Sequence, residues 1–312
     1  MKIGIDVMGG DHAPEKTILG AILAHKQIPS YDRIVLIGDR EVIQKYLKQE
    51  DQSPKDFDIV HAPDIIGMGE HPIKAFTQKQ ESSIAKGFKL LKNNEIDAFA
   101  SAGNSGVMLV GSIYSVGTIQ GIIRPCTSAI LPKENGKMGV LLDIGTNPDC
   151  KPDVMYQFAI LGSLYASYVY NIKNPKIGLL NIGAEEEKGS LLTQSVYNLM
   201  KNSNDFNFIG NVESRDLLSE KADVVITDGF TGNVLLKQIE AIYAIMRKRG
   251  LIDDYFSRFN YENYGGSPIL GINSTVILGH GISNENAIKN MIILAKDVHE
   301  ADLFNKIKTA LT

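Results

Sequence analysis

Apolar residues in this chain come in short runs that end on glycine, asparagine or aspartate, and between them lie stretches whose apolar positions recur every third or fourth residue. The runs predict strands near 2–7, 33–38, 57–61, 96–100, 127–131, 138–144, 176–182, 206–209, 222–227 and 274–278, alternating with helices. That alternation predicts a largely parallel sheet with helices on both faces. The stretch 14–27 places Pro14 in its first turn and turns Ile18, Leu19, Ile22 and Leu23 inward. Residues 152–170 carry so few charges that the helix they form is expected to be buried on most sides. The segment 51–58, DQSPKDFD, reads as a surface loop, and no repeat, low-complexity tract or linker divides the chain. We expect one α/β domain over 1–312, or two lobes around an anion-binding cleft.

Five strand ends share one pattern: a buried strand, a loop of small residues and a helix start. They are GGDH at 9–12, SAGNSG at 101–106, LLDIGTN at 141–147, LLNIGAEEEKGS at 179–190 and VITDGFTGN at 225–233. Small residues let main-chain N–H groups converge at the positive end of a helix, which is the geometry of an anion cradle. Each loop taken singly is equally well read as a turn with a cap, and the glutamates at 185–187 as a solvated turn. Repetition is what favours a site. His12 reads as a proton donor or an anion contact, and His71 and His280 also sit beside glycine turns. Asp228, Thr231 and Asn233 put a carboxylate, a hydroxyl and an amide at one strand end, while Asp6 and Asp11 read as a strand-end carboxylate and a cap.

Composition narrows the chemistry by exclusion. With 32 basic and 36 acidic residues in 312, net charge is -4, so no global field draws the protein to nucleic acid. Cys126 and Cys150 have no CxxC spacing, and no His/Cys/Asp/Glu set has the spacing of a metal site, so no metal or cofactor is expected. Neither a basic leader nor an apolar run of about 18 residues is present, which fits a cytoplasmic protein. GxGxxG, GxxxxGK[ST] and GxSxG are absent, which counts against dinucleotide binding, P-loop phosphoryl transfer and serine hydrolysis. The kinase-like opening GIDVMGGD would lead into a β-hairpin, but Pro14 and a helix follow it here. Residues 234–259 form an amphipathic stretch, read either as core or dimer interface or as a surface that touches lipid or an acidic carrier protein, and its Arg247, Lys248 and Arg249 are the densest basic patch in the chain.

With these loops in place, the chain resembles, over nearly its full length, the PlsX family of phosphate acyltransferases, which make acyl phosphate from acyl-acyl-carrier protein and inorganic phosphate. The resemblance rests on KIGIDVMGGDHAPE, PIKAF, ESSIAKG, SAGNSG, LLDIGTN, GLLNIGAEEEKG, GNVES, DVVITDGFTGNVLLK and NYGGSPILG, in that order. Thr146, Ser105, Val107 and Ala241 are mild departures, and the segment between Lys237 and Asn263, which the resemblance connects with membrane contact, is shorter than usual. The resemblance implies a three-layer α/β/α sandwich akin to the isocitrate and isopropylmalate dehydrogenases and a homodimer. It also implies partnership with a membrane glycerol-3-phosphate acyltransferase at the inner face of the membrane. On this basis phosphate is assigned to Ser101, Gly103, Asn104, Ser105, Gly106 and Lys188. The oxyanion is assigned to Asn104 or Asn233, proton handling to His12 or Asp228, and carrier contact to Arg247, Lys248 and Arg249. The helices at 105–119 and 234–246 are candidate walls for the acyl chain. Rival readings are a phosphotransacetylase-like enzyme using acyl-coenzyme A, a dehydrogenase of the same fold, and a non-catalytic module that binds acyl-carrier protein.

Overall fold

A computed structural model describes residues 1–311. The first stretch of chain runs β1 (Lys2–Asp6), α1 (Glu15–His25), β2 (Arg33–Gly38), α2 (Arg40–Gln49), β3 (Asp58–His61), α3 (Pro72–Gln78), α4 (Ser83–Lys92), β4 (Ala98–Ser101) and α5 (Ser105–Gly111). It continues through β5 (Cys126–Pro132), β6 (Met138–Leu142), α6 (Pro152–Tyr168), β7 (Lys176–Leu180), α7 (Leu191–Met200), β8 (Asn207–Val212), β9 (Val224–Ile226), α8 (Gly229–Lys248) and α9 (Asp254–Ser257). Then come β10 (Ser267–Leu270), β11 (Thr275–Leu278), α10 (Glu285–Glu300) and α11 (Leu303–Ala310).

The chain forms two compact units: Met1–Thr118 with Tyr261–Phe304, and Ile119–Asn260 with the segment from Asn305 on. In the first unit the strand order is β3-β2-β1-β4-β11-β10, parallel except for the β10–β11 pair. Val35 and Ile37 of β2 pack with Phe88 of α4 and Phe99 of β4 in one cluster. Strand residues alternate between faces, so the equally buried Ile34 and Leu36 serve the other face. Both faces are therefore covered, as a parallel sheet requires. On one of them α1 and α10 meet where Gly20 lies against Ile288.

In the second unit the order is β5-β6-β9-β7-β8, parallel except for the β5–β6 hairpin. Leu141, Leu180, Val212 and Val225 face Leu235 and Ile239 of α8. On the opposite side Gly162 lets α6 press onto Leu142, Val224 and Ile226. Helix, sheet, helix: the molecule is a mixed α/β protein of three-layer α/β/α design.

Most predicted elements are present, with four instructive differences. β10 is not among the predicted strands, and its Pro268 pairs with Ile277. Within the expected surface loop 51–58, Phe57 is buried and packs on His25. The helix starting at Ser105 changes to a π-helical turn over Ser112–Val116 and stops at Gly117, whose φ is 76°. The amphipathic stretch 234–259 is not one helix: α8 ends at Lys248, and Gly250, with φ of 69°, turns the chain before α9.

Candidate active site

In each unit, glycine turns at the C-terminal ends of neighbouring parallel strands gather round one buried aspartate. In the first, β1 ends on Asp6, which is fully buried. Its Oδ2 accepts from the Ser101 hydroxyl at 2.6 Å and its Oδ1 from the Met8 N–H at 3.0 Å; the Ser83 hydroxyl and the Gly9 N–H also donate. Burial pushes the Asp6 carboxyl above the usual carboxylate range, and these donors offset only part of that. Ser101 Oγ accepts in turn from Gly103 N–H at 2.9 Å. A methyl group on Gly9 would stand 2.8 Å from Gly103 Cα, so the two loops meet main chain to main chain.

Asn104 fastens a third segment. Its Nδ2 lies 3.2, 2.9 and 3.0 Å from the carbonyl oxygens of Gly67, Met68 and Glu70, and its Oδ1 caps α5 by accepting from Val107 N–H at 3.1 Å. The loop after β11 joins through Asp11 N–H, which donates to Gly281 O at 2.7 Å. His12 is exposed beside it, and Ser105 is exposed at the start of α5. Ser101, Gly103, Asn104, Ser105 and Gly106 are thus brought together with the 9–12 loop. The side chains of Ser101 and Asn104, however, are spent on holding the loops, which leaves main-chain N–H groups as the donors there.

The second unit repeats the plan with more donors. Asp143 follows β6, is fully buried, and accepts from Thr127 N–H and Oγ1, Ile144 N–H, Thr146 N–H, and Asn147 N–H and Nδ2. Gly229 N–H donates to Asn147 O at 2.8 Å, and a methyl group on Gly232 would overlap the Asp143 carbonyl. The start of α8 is therefore seated directly on the 143–147 loop. Asp228 caps α8, accepting from Thr231 N–H and Oγ1, each at 2.8 Å. Exposed Asn233 donates one Nδ2 hydrogen to Ile144 O at 3.0 Å.

Lys188 lies in the loop after β7, which is knotted by buried Asn181: its Nδ2 donates to Lys188 O at 3.0 Å and its Oδ1 accepts from Ile182 N–H. The Lys188 side chain and Glu185–Glu187 are exposed. Since β6, β9 and β7 are adjacent and parallel, the loops with Asp143, Asp228 and Lys188 leave one edge of the sheet, where α/β proteins bind ligands. Arg247, Lys248 and Arg249 are all exposed at the far end of α8.

Sequence reading passed over Asp143, Asn147 and Asn181, and gave Asp6 only as a strand-end carboxylate. The available signal was a lone acid or amide closing an otherwise apolar strand before glycine. Both cysteines are buried, and burial holds the Cys150 thiol at about 11 and that of Cys126 well above its ordinary value, so neither is a thiolate near neutral pH. Among the described residues no three His/Cys/Asp/Glu side chains are grouped to hold a metal, and no helix is long and apolar enough to cross a membrane.

The fold belongs to the class in which phosphotransacetylases and related dehydrogenases are built. A phosphotransacetylase from Streptococcus pyogenes superposes with a TM-score of 0.65 at 17% identity, covering 96% of this chain and 94% of that one. A 4-hydroxythreonine-4-phosphate dehydrogenase from Klebsiella pneumoniae follows it with a TM-score of 0.58 at 12% identity, covering 96% and 98%. Sequence goes further than shape. Residues 1–306 match the family described as "Fatty acid synthesis protein", and a phosphate acyltransferase of Thermoanaerobacterium thermosaccharolyticum is 44% identical over 99% of this chain and 96% of its own length. The chain belongs to this family, that of the phosphate acyltransferases, which are enzymes of fatty acid and phospholipid synthesis.

Proposed function

We propose that the protein transfers the acyl group of an acyl-acyl carrier protein to inorganic phosphate. A phosphate oxygen attacks the thioester carbonyl carbon, the tetrahedral oxyanion collapses, the C–S bond breaks, and the thiolate leaves to be protonated while acyl phosphate departs. Phosphate is already anionic near neutral pH, so the reaction needs positioning and oxyanion stabilisation rather than a protein nucleophile. The observation that supports this best is the set of strand-end glycine turns, each tied down by a buried polar side chain, in a chain that offers no thiolate.

Two residue sets, one in each unit, have the chemistry. In the first they are the main-chain N–H groups of Asn104–Gly106 and the exposed His12. In the second they are Lys188 for phosphate charge, Asn233 for the oxyanion, and Asp228 as the cap that aims α8. Alanine at Lys188 or Asn233 is expected to lower kcat/KM by tenfold or more, about 1.4 kcal/mol on the barrier. A loss within threefold removes the second set. For the donor, Arg247, Lys248 and Arg249 offer an exposed basic patch to an acidic carrier, and Leu235 and Ile239 anchor the helix that bears it. Reversing these three charges should raise KM for acyl-carrier protein severalfold and leave acyl-coenzyme A turnover unchanged.

Phosphate-dependent loss of thioester, compared between acyl-carrier protein and acyl-coenzyme A, decides the donor. Faster turnover of the coenzyme A ester would overturn the proposal, as would tight carrier binding without turnover. In this reading the protein is a cytoplasmic homodimer that works at the inner face of the membrane, and a membrane glycerol-3-phosphate acyltransferase takes its product. The exposed Phe230, Val234, Ile242 and Ile245 of α8 support an apolar contact of that kind.

A further inference from the structure

The second unit has a cavity at the edge of the sheet away from the glycine turns. It has a volume of about 520 Å³ and lies where β6, β7 and β9 begin, beside Met138, Lys176 and Asp223. Asp143, Asn181 and Asp228 follow the other ends of those strands. With five residues in β6 and in β7, at a rise of about 3.3 Å each, the two edges stand roughly 16 Å apart.

Four lysines line this cavity, Lys133, Lys137, Lys173 and Lys176, against two carboxylates, Glu220 and Asp223. One of the two is already engaged: Asp223 Oδ2 accepts the Lys176 main-chain N–H at 2.8 Å. Three of the lysines are exposed, whereas Lys133 is 3% exposed. Its Nζ donates to Leu217 O at 2.8 Å and to Ala222 O at 2.7 Å. A protonated amine has three N–H bonds, and these two carbonyls take two of them. Burial holds this amine at about 8, with Asp223 opposing the shift only in part, as for a buried cation short of counter-charge.

The lysine wall is also stiff. Arg258 donates from Nη1 to Lys133 O at 3.0 Å and from Nη2 to Lys137 O at 2.7 Å, while Glu134 N–H donates to Leu218 O at 3.0 Å. The main chain of the hairpin turn that carries Lys133 and Lys137 is thereby fixed on both sides before any ligand arrives, so binding there orders less of the backbone. The volume falls within the range of small-molecule pockets and far exceeds that of a lone phosphate ion, and Met138 with Ile172 supplies an apolar wall.

We infer that this cavity is a second anion site, which takes a small phosphorylated organic molecule through Lys133, Lys137 and Lys173 without entering the glycine-turn edge. The inference does not depend on which acyl donor the enzyme uses.

Inorganic pyrophosphate titrated calorimetrically into the whole protein in 150 mM salt, with the Lys137→Ala/Lys173→Ala variant alongside, tests it. Both lysines are exposed and lie outside the residues assigned to catalysis. The expected result is saturable binding whose Kd rises at least tenfold in the variant, while phosphate-dependent acyl turnover stays within twofold of wild type. A smaller rise in Kd, binding lost in wild type at that salt, or a parallel fall in turnover would overturn it.

Discussion

Asp6 and Asp143 occupy equivalent places, each fully buried at the C-terminal end of a central strand, yet they are provided for unequally. Asp143 accepts six hydrogen bonds, four from its own loop and two from Thr127 of the adjacent strand, all within the second unit. Asp6 accepts four, and burial still raises its carboxyl. The same local device, a carboxylate that gathers loop N–H groups, is saturated in one unit and short of donors in the other. A strand-end acid can therefore hold its loops with many donors or with few, and at Asp6 the few do not cancel the effect of burial.

The largest expected effect breaks this comparison directly. Asp143→Ala strands several buried donors and should cost about 3–5 kcal/mol in urea unfolding, against about 1–3 for Asp6→Ala. Equal losses would mean that donor count does not set the difference. Next comes close packing. Gly232→Ala drives a methyl group into the Asp143 carbonyl and should cost about 1–3 kcal/mol, whereas Gly103→Ala meets Ser101 Oγ at 3.0 Å and Ile84 Cδ1 at 3.1 Å and should cost about 1 or less.

The smallest effect is the sharpest. Because the folded Asp6 carboxyl is raised above its unfolded value of 3.8, the fold binds the proton more readily than the unfolded chain does. Its charged form costs stability above the folded value, and the cost fades as pH falls toward 3.8. Unfolding free energy of wild type minus that of Asp6→Asn should therefore rise as pH falls from 7 to 4. A flat difference would show that the four donors already offset the burial.

The strands were readable because each is a short apolar run closed by a small or polar residue, and the loops because glycine follows each run. What each loop residue does was not readable. Asn104 looked like a phosphate or oxyanion donor, but its amide reaches 34–37 residues back to Gly67, Met68 and Glu70, a contact that no local pattern encodes. Ser101 likewise spends its hydroxyl on Asp6, 95 residues away. β10 was hidden by Pro268, which weakens any local strand pattern and yet pairs with Ile277. Asn233 and Lys188, by contrast, are exposed.

The seating of α8 on the 143–147 loop has a consequence for anyone who would shuffle or randomise these loops. Gly229 abuts the Asn147 main chain and Gly232 the Asp143 carbonyl, neighbours more than 80 positions earlier in the chain. Homologous loops grafted one at a time would meet a foreign partner across that contact, so recombinants should survive selection mainly when 143–147 and 228–233 come from the same parent.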